Sequence, residues 1–172
     1  MSILYEFGEY GPLLLILISW YLLWNNHNLF FYYNVGIFTN SVLNLILKGI
    51  IQEPRPLFDN KKIHLMKTNA KHYFYNDGIP FNIFGMPSGH AQSAFFTTFF
   101  IFLALKNTNL FYLFLLYSIL ICYQRVKEEY HSLPQVIVGA IVGSAFGYLV
   151  YQLAREKIKG RIREKPDDFG PV

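Results

Sequence analysis

An all-α integral membrane bundle of about five transmembrane helices, with its polar site at the membrane interface, is what these 172 residues should build. The chain is 53% hydrophobic and 19% aromatic, and only 15% of it is charged, where a soluble domain averages about 25% charged. Its apolar residues fall in long blocks instead of being spread by amphipathic periodicity. Backbone that crosses hydrocarbon must satisfy its own N–H and C=O groups, so blocks of this length read as helices.

The first block, residues 10–24, is shorter than the roughly 20 residues a crossing takes. It spans only if its helix starts near Ile3, with Glu6 and Glu9 at the interface. The second, 29–51, runs into LILKGIIQEPRP, where Pro54 and Pro56 stop it, because the residue before a proline is pushed toward an extended shape. The third, 91–105, follows GMPSGHAQ. Ser88 suits the N-cap, Pro87 stiffens the approach and Gly89 lets backbone come close to a ligand. The fourth, 110–126, closes on Arg125, and the fifth, 134–153, opens with Pro134 at its first position. Residues 1–172 make one membrane-embedded domain, with a site-side loop at 53–86 and a basic tail at 154–172.

A net charge of +4 and a pI of about 9.1 do not indicate a nucleic-acid module, because the basic residues gather in the loop and the tail and not on a soluble face. Cys122 is the only cysteine and lies mid-span, which excludes a disulfide or a thiolate-held metal within the chain. The sequence has no HExxH, no paired-carboxylate cluster and no zinc-type spacing, so neither metal nor cofactor is expected. The start, MSILYEFGEYGP, lacks a basic n-region and a small-residue cleavage site, and the first helix is expected to be an uncleaved anchor.

Function should lie where polar residues interrupt the apolar blocks. Lys48 and Arg55 are seven residues apart, the lysine in the last turns of the second helix and the arginine on the strap that leaves it. Alone they read as a snorkelling lysine and an interfacial arginine. His90 stands in the first turn of the third helix, whose free N–H groups form a ready anion site. Alone this is a capped helix start, although PSGH arises by chance in only about one chain per thousand of this length. The third cluster is RVKEEYHSLPQV, with Arg125, His131 in the short loop and Gln135 able to reach back toward it. Alone it is a solvated interfacial patch. Alternating helices, however, place all three clusters on one side of the membrane. Three cations, a helix N-terminus and two histidines then make a pocket for a phosphoryl group beside lipid.

These three clusters, in this order, resemble the signature of the type 2 phosphatidic acid phosphatase superfamily, over about residues 30–150. IQEPRP, GMPSGH and YHSLPQV are most similar to its dolichyl (polyprenyl) diphosphate phosphatase branch. The superfamily usually has Asp where this chain has Gln135; the branch resembles this chain in carrying Gln, but generally has serine where this chain has Gly89. The resemblance implies a metal-independent lipid phosphatase that acts on the terminal phosphate of a polyprenyl diphosphate through a phosphohistidine. It implies His131 as nucleophile, His90 as the acid that protonates the departing oxygen and then activates water, and Gln135 as the holder of His131. It implies phosphate binding by Lys48, Arg55, Ser88, Gly89 and Arg125. Gln135 brings no charge, and a flipped amide would present a donor to the ring, so neighbours have to fix it.

Two other readings use the same residues. A broad-specificity phosphatidic acid or lipid phosphate phosphatase would share the site, and assay on both substrate types separates the two. A catalytically silent membrane scaffold of the same fold would show no turnover. A channel or transporter is disfavoured, since the polar groups sit at helix ends and not across the midplane. The expected partners are a lipid phosphate or diphosphate and the membrane, without nucleic acid. Lys106 and the six cations between Arg155 and Lys165 total seven on one side. Lys61, Lys62, Lys67, Lys71 and Lys127 oppose them once Lys48, Arg55 and Arg125 are set aside. The positive-inside rule then puts the tail in the cytosol and the site on the lumenal or outer face; the resemblance implies the same face and, if the chain is eukaryotic, the endoplasmic reticulum or another internal membrane.

Overall fold

The computed structural model describes Glu6, residues 8–56 and residues 84–158. Most of the expected loop and the basic tail beyond residue 158 lie outside the described residues. The apolar blocks form α1 (Gly11–Leu23), α2 (His27–Ile51), α3 (Gly89–Leu105), α4 (Thr108–Lys127) and α5 (Leu133–Ile158). No strand occurs among the described residues. Helices α2, α4 and most of α5 are long and apolar enough to cross a membrane, whereas α1 and α3 are shorter apolar helices of 13 and 17 residues. Leu13, Leu17, Phe38, Ile46, Leu113, Leu116, Ile137 and Ile141 are exposed. Outward apolar surface of this extent fits a bilayer.

Helix α2 ends before its prolines. Gln52 takes the left-handed conformation (φ 52°) and its N–H bonds the Lys48 carbonyl at 3.0 Å. Among the described helices α3 is the central one and packs against each of the other four. Its buried residues include Ala91, Ala94, Phe96, Phe100 and Ile101, and a helix that is apolar all round belongs in an interior. Tyr33 of α2 meets Phe96 and Phe100 at ring separations of 6.0 and 5.3 Å, and Tyr151 of α5 meets Phe100 edge-on at 6.2 Å.

Two devices bind α3 to its neighbours. Gly139, Gly143 and Gly147 lie on α5 at four-residue spacing. A Cβ on Gly139 would come within 2.6 Å of the Ser88 carbonyl oxygen, and one on Gly147 within 2.7 Å of that of Phe96. One on Gly143 would run into the Gln92 carbonyl. Lipid tails are as apolar as leucine, so close approach over small residues is what joins helices in a membrane. On the other side, buried Asn40, Asn44 and Lys48 form a polar stripe on α2. Gln92 Nε2 donates to Asn40 Oδ1 at 2.9 Å, and Asn44 Nδ2 donates to Gln92 Oε1 at 2.8 Å and to the Pro87 carbonyl at 3.1 Å. This network fixes the start of α3 against the lower half of α2.

Candidate active site

The turn between α4 and α5 sets His131. After Lys127 the chain passes through Glu129 at φ 55°, and the His131 N–H donates back to the Arg125 carbonyl at 3.1 Å. That bond closes the loop behind the five-residue spacing and leaves His131 only 2% exposed. Gln135 is the third residue of α5, so S-L-P-Q has the layout of a capping box, in which the third helical residue reaches back to the N-cap N–H. Pro134 accordingly takes the second helical position, not the expected first. Gln135 Oε1 accepts from the Ser132 N–H at 3.2 Å and from His131 Nδ1–H at 3.1 Å. Gln135 Nε2 donates to Glu53 Oε1 and to the Pro54 carbonyl, both at 2.8 Å. Both partners of Nε2 are pure acceptors, so the amide has one orientation, and its two donors and two lone pairs are all used.

Glu53 and Pro54 belong to the strap leaving α2, and the strap pairs with the segment entering α3. Pro54 bridges Phe84, and the Gly85 N–H donates to the Glu53 carbonyl at 2.7 Å. Gly85 is required by contact, since a Cβ there would run into the Gln135 carboxamide. The Ser88 N–H donates to the Gln135 carbonyl at 3.0 Å, tying the heads of α3 and α5 together. Ser88 holds the N-cap position as expected, but its hydroxyl makes no cap bond and stays buried without a partner. Gly89 faces Asn44, whose Oδ1 would lie 3.2 Å from an added Cβ. A glycine there gives the polar stripe its room.

Lys48, in the last turn of α2, is 7% exposed, and Arg125, near the end of α4, is 3% exposed. The Arg125 guanidinium forms an ion pair with Glu9 and lies 4.9 Å from the Tyr130 ring centre. His90 Nε2–H donates to the Glu9 carbonyl oxygen at 3.1 Å. A cavity of about 400 Å³ opens beside this contact, lined by Glu9, Asn44, Gly89 and His90 and by Pro12, Leu13 and Leu45. Leu13 and Leu45 are also exposed on the outer surface, so the cavity runs from polar groups to the lipid side.

Electrostatics favours an anion here and a neutral His131. Burial, then the positive charge of Arg55, and also Lys48 and His90, push His131 down to about 3 against the opposing bond to Gln135. Its imidazole is therefore neutral at neutral pH. Burial and the neighbouring Arg125 lower Arg55, though a guanidinium remains charged. The hydrogen bond from Arg125 holds the Glu9 carboxyl below its ordinary range. Arg55 Nε, Arg125 Nε and Ser88 Oγ are buried without a partner. Buried donors are almost always satisfied, and an oxyanion is a ligand of the kind such donors bind. The Gln124 amide and the Ser132 hydroxyl are also buried and unpaired.

All eight residues singled out in the sequence, Lys48, Arg55, Ser88, Gly89, His90, Arg125, His131 and Gln135, thus lie at one end of the bundle, joined by these bonds and charges. Glu9 and Glu53 complete the constellation without having been expected in it. The sequence profile of the PAP2 superfamily, a membrane helical fold, matches residues 29–159. The chain belongs to the PAP2 superfamily. Both histidines and all three cations fall inside the PAP2 match, whereas Glu9 lies ahead of it. The chain is 34% identical to lipid phosphate phosphatase epsilon 2, chloroplastic, of Arabidopsis thaliana over 125 residues, 68% of this chain and 37% of that one. It is 32% identical to the dolichyldiphosphatase of Saccharomyces cerevisiae over 126 residues, 67% of this chain and 48% of that one. With dolichyldiphosphatase 1 of Rhinolophus ferrumequinum it shares 27% over 137 residues, 70% of this chain and 51% of that one. The match spans about half or less of the length of these curated relatives. No solved structure matches this PAP2 chain.

Proposed function

We propose that this chain is a membrane lipid phosphatase that removes the terminal phosphate of a polyprenyl, dolichyl-type diphosphate through a phosphohistidine at His131. The observation that carries the reading is a neutral histidine, engaged at Nδ1 by Gln135, standing among buried cationic donors that lack a partner. The Nε2 lone pair of His131 attacks the terminal phosphorus, and the bond from phosphorus to the bridging oxygen breaks. Protonated His90 gives its proton to that oxygen, releasing the lipid monophosphate. Neutral His90 then takes a proton from water as the water attacks the phosphohistidine. The N–P bond breaks, inorganic phosphate leaves and His131 returns to its starting state. Lys48, Arg55, Arg125, the Ser88 hydroxyl and the Gly89 N–H hold the non-bridging oxygens. Such positioning of charge supplies most of the catalysis in phosphoryl transfer. The scheme uses no metal and no cofactor.

The yeast relative named dolichyldiphosphatase supports the diphosphate. The Arabidopsis relative named lipid phosphate phosphatase favours the second reading, a broader enzyme acting on monophosphates such as phosphatidic acid. The charge balance of the loops supports a site on the non-cytosolic face, and the likeness to dolichyldiphosphatases fits an internal membrane such as the endoplasmic reticulum. The test is phosphate release by purified protein from a polyprenyl diphosphate and from phosphatidic acid, both in EDTA. Faster release from the diphosphate is expected. A strict Mg²⁺ requirement after exhaustive chelation, or no release from either lipid by folded protein, would overturn the proposal.

A further inference from the structure

We infer that Glu53 is a positioning residue for the reaction, supplying through Gln135 the negative charge that His131 does not receive directly. The inference rests on His131 being the nucleophile. As phosphorus bonds to Nε2, the ring becomes a cation with its proton on Nδ1. That proton points at Gln135 Oε1, which lies 3.1 Å from Nδ1, and the same amide group donates from Nε2 to Glu53 Oε1 at 2.8 Å. A carboxylate accepting from Nε2 pushes electron density toward Oε1, since hydrogen bonds in a chain polarise one another. The arrangement therefore reads ring, amide, carboxylate, with the charge one group further out than in a histidine–aspartate pair.

Two features make Glu53 specific to this task. The Pro54 carbonyl and Glu53 Oε1 together take both Nε2 hydrogens, which forbids the flipped amide. The strap that carries Glu53 is fixed by the Gly85 N–H on the Glu53 carbonyl, on the side where Gly85 makes room for the amide. The same geometry explains the neutral residue at 135. An acid there would set two carboxylates face to face and have no hydrogen for Pro54, so an amide is the group that fits between an imidazole N–H and a carboxylate.

The test is a charge swap, with kcat and KM measured on a polyprenyl diphosphate using purified full-length chain and with melting profiles as the folding control. Glu53→Gln keeps an acceptor for Gln135 Nε2 but removes the charge, and kcat should fall about tenfold or more with KM within about twofold. Gln135→Glu alone opposes two carboxylates and should cost about a hundredfold or more. Glu53→Gln combined with Gln135→Glu moves the charge onto His131 itself, backed by an amide that can donate, and should recover about tenfold or more over Gln135→Glu. A strut without an electrostatic role predicts the opposite, a double variant at least as poor as the worse single one. Parental kcat in Glu53→Gln, or no recovery in the double variant, overturns the inference. His131→Ala assayed alongside separates the two ideas. If it keeps turnover, the phosphohistidine reading falls and the relay falls with it; a Glu53→Gln with parental kcat beside a dead His131→Ala overturns the relay alone.

Discussion

On the α5 side of the site, His131 is gripped at Nδ1 by an amide whose every hydrogen-bonding position is taken. On the α1 side, His90 leans on the backbone carbonyl of Glu9, beside an open cavity. The two tasks proposed for the rings account for the contrast. A nucleophile has to present one lone pair in one direction throughout, so its other nitrogen is fixed in a single tautomer. A group that gives a proton to one oxygen and takes one from another needs a partner it can release. The proposed phosphate cradle shows the same division, because Arg55 follows Pro54 on the bonded strap while Arg125 is taken up by Glu9.

The largest effect should come from breaking the locked side. Gln135→Leu removes the acceptor at Nδ1 and should lower kcat by about 10³-fold or more, in line with what loss of the tautomer holder costs a catalytic triad. Phosphate release on a polyprenyl diphosphate measures it, and parental activity would mean that another group holds the ring. On the released side, His90→Ala should cost about 10²–10⁴ with an alkyl phosphate and much less with an activated aryl phosphate, whose departing oxygen needs no proton. Equal losses on both substrates would remove His90 from the acid's role.

A smaller effect sharpens the comparison at Arg125. Substrate phosphate has to displace the Glu9 carboxylate from that guanidinium. Glu9→Gln should therefore lower the inhibition constant of inorganic phosphate by about two- to tenfold, the pair being buried at Arg125 but partly open to solvent at Glu9. An unchanged or weaker constant would show that Glu9 does not compete. The smallest effect is on acid stability. His131 has its folded value pushed down to about 3 from the ordinary 6.5. Protons bind the unfolded chain first, so its contribution is present above about pH 6.5 and is lost as pH falls toward 3. His131→Asn should make the melting temperature in detergent decline less steeply across that window.

The helices were legible because a fixed hydrocarbon thickness demands long apolar blocks, and all five blocks became helices with ends shifted by a few residues. Five of the eight candidate residues, Lys48, Arg55, His90, Arg125 and His131, were legible because histidine, lysine and arginine at helix ends conflict with their apolar surroundings. Glu53 and Glu9 were not, since their partners lie 82 and 116 residues away and nothing local marks the pairing. Glu53 looked like one more charge on a polar strap, and Glu9 like an interfacial acid. Ser88 was half legible: its place at the helix start follows from its neighbours, but where its hydroxyl points depends on the packed strap. The glycine spacing on α5 is visible in the sequence, yet it gains meaning only once α3 is known to be the partner.

Because Gly139, Gly143 and Gly147 lay α5 directly on the α3 backbone, and Ser88 bonds Gln135 at the head of that seam, the helix that carries His90 and the helix that His131 leads into are in contact backbone to backbone. A bilayer that thins or thickens changes the tilt of the spans within it. Tilting two helices together, rather than one past the other, leaves the separation of His90 and His131 unchanged. A seam of backbone contact has few side chains to re-pack, so the spacing on which the proposed chemistry depends should vary little with the depth of the membrane around it.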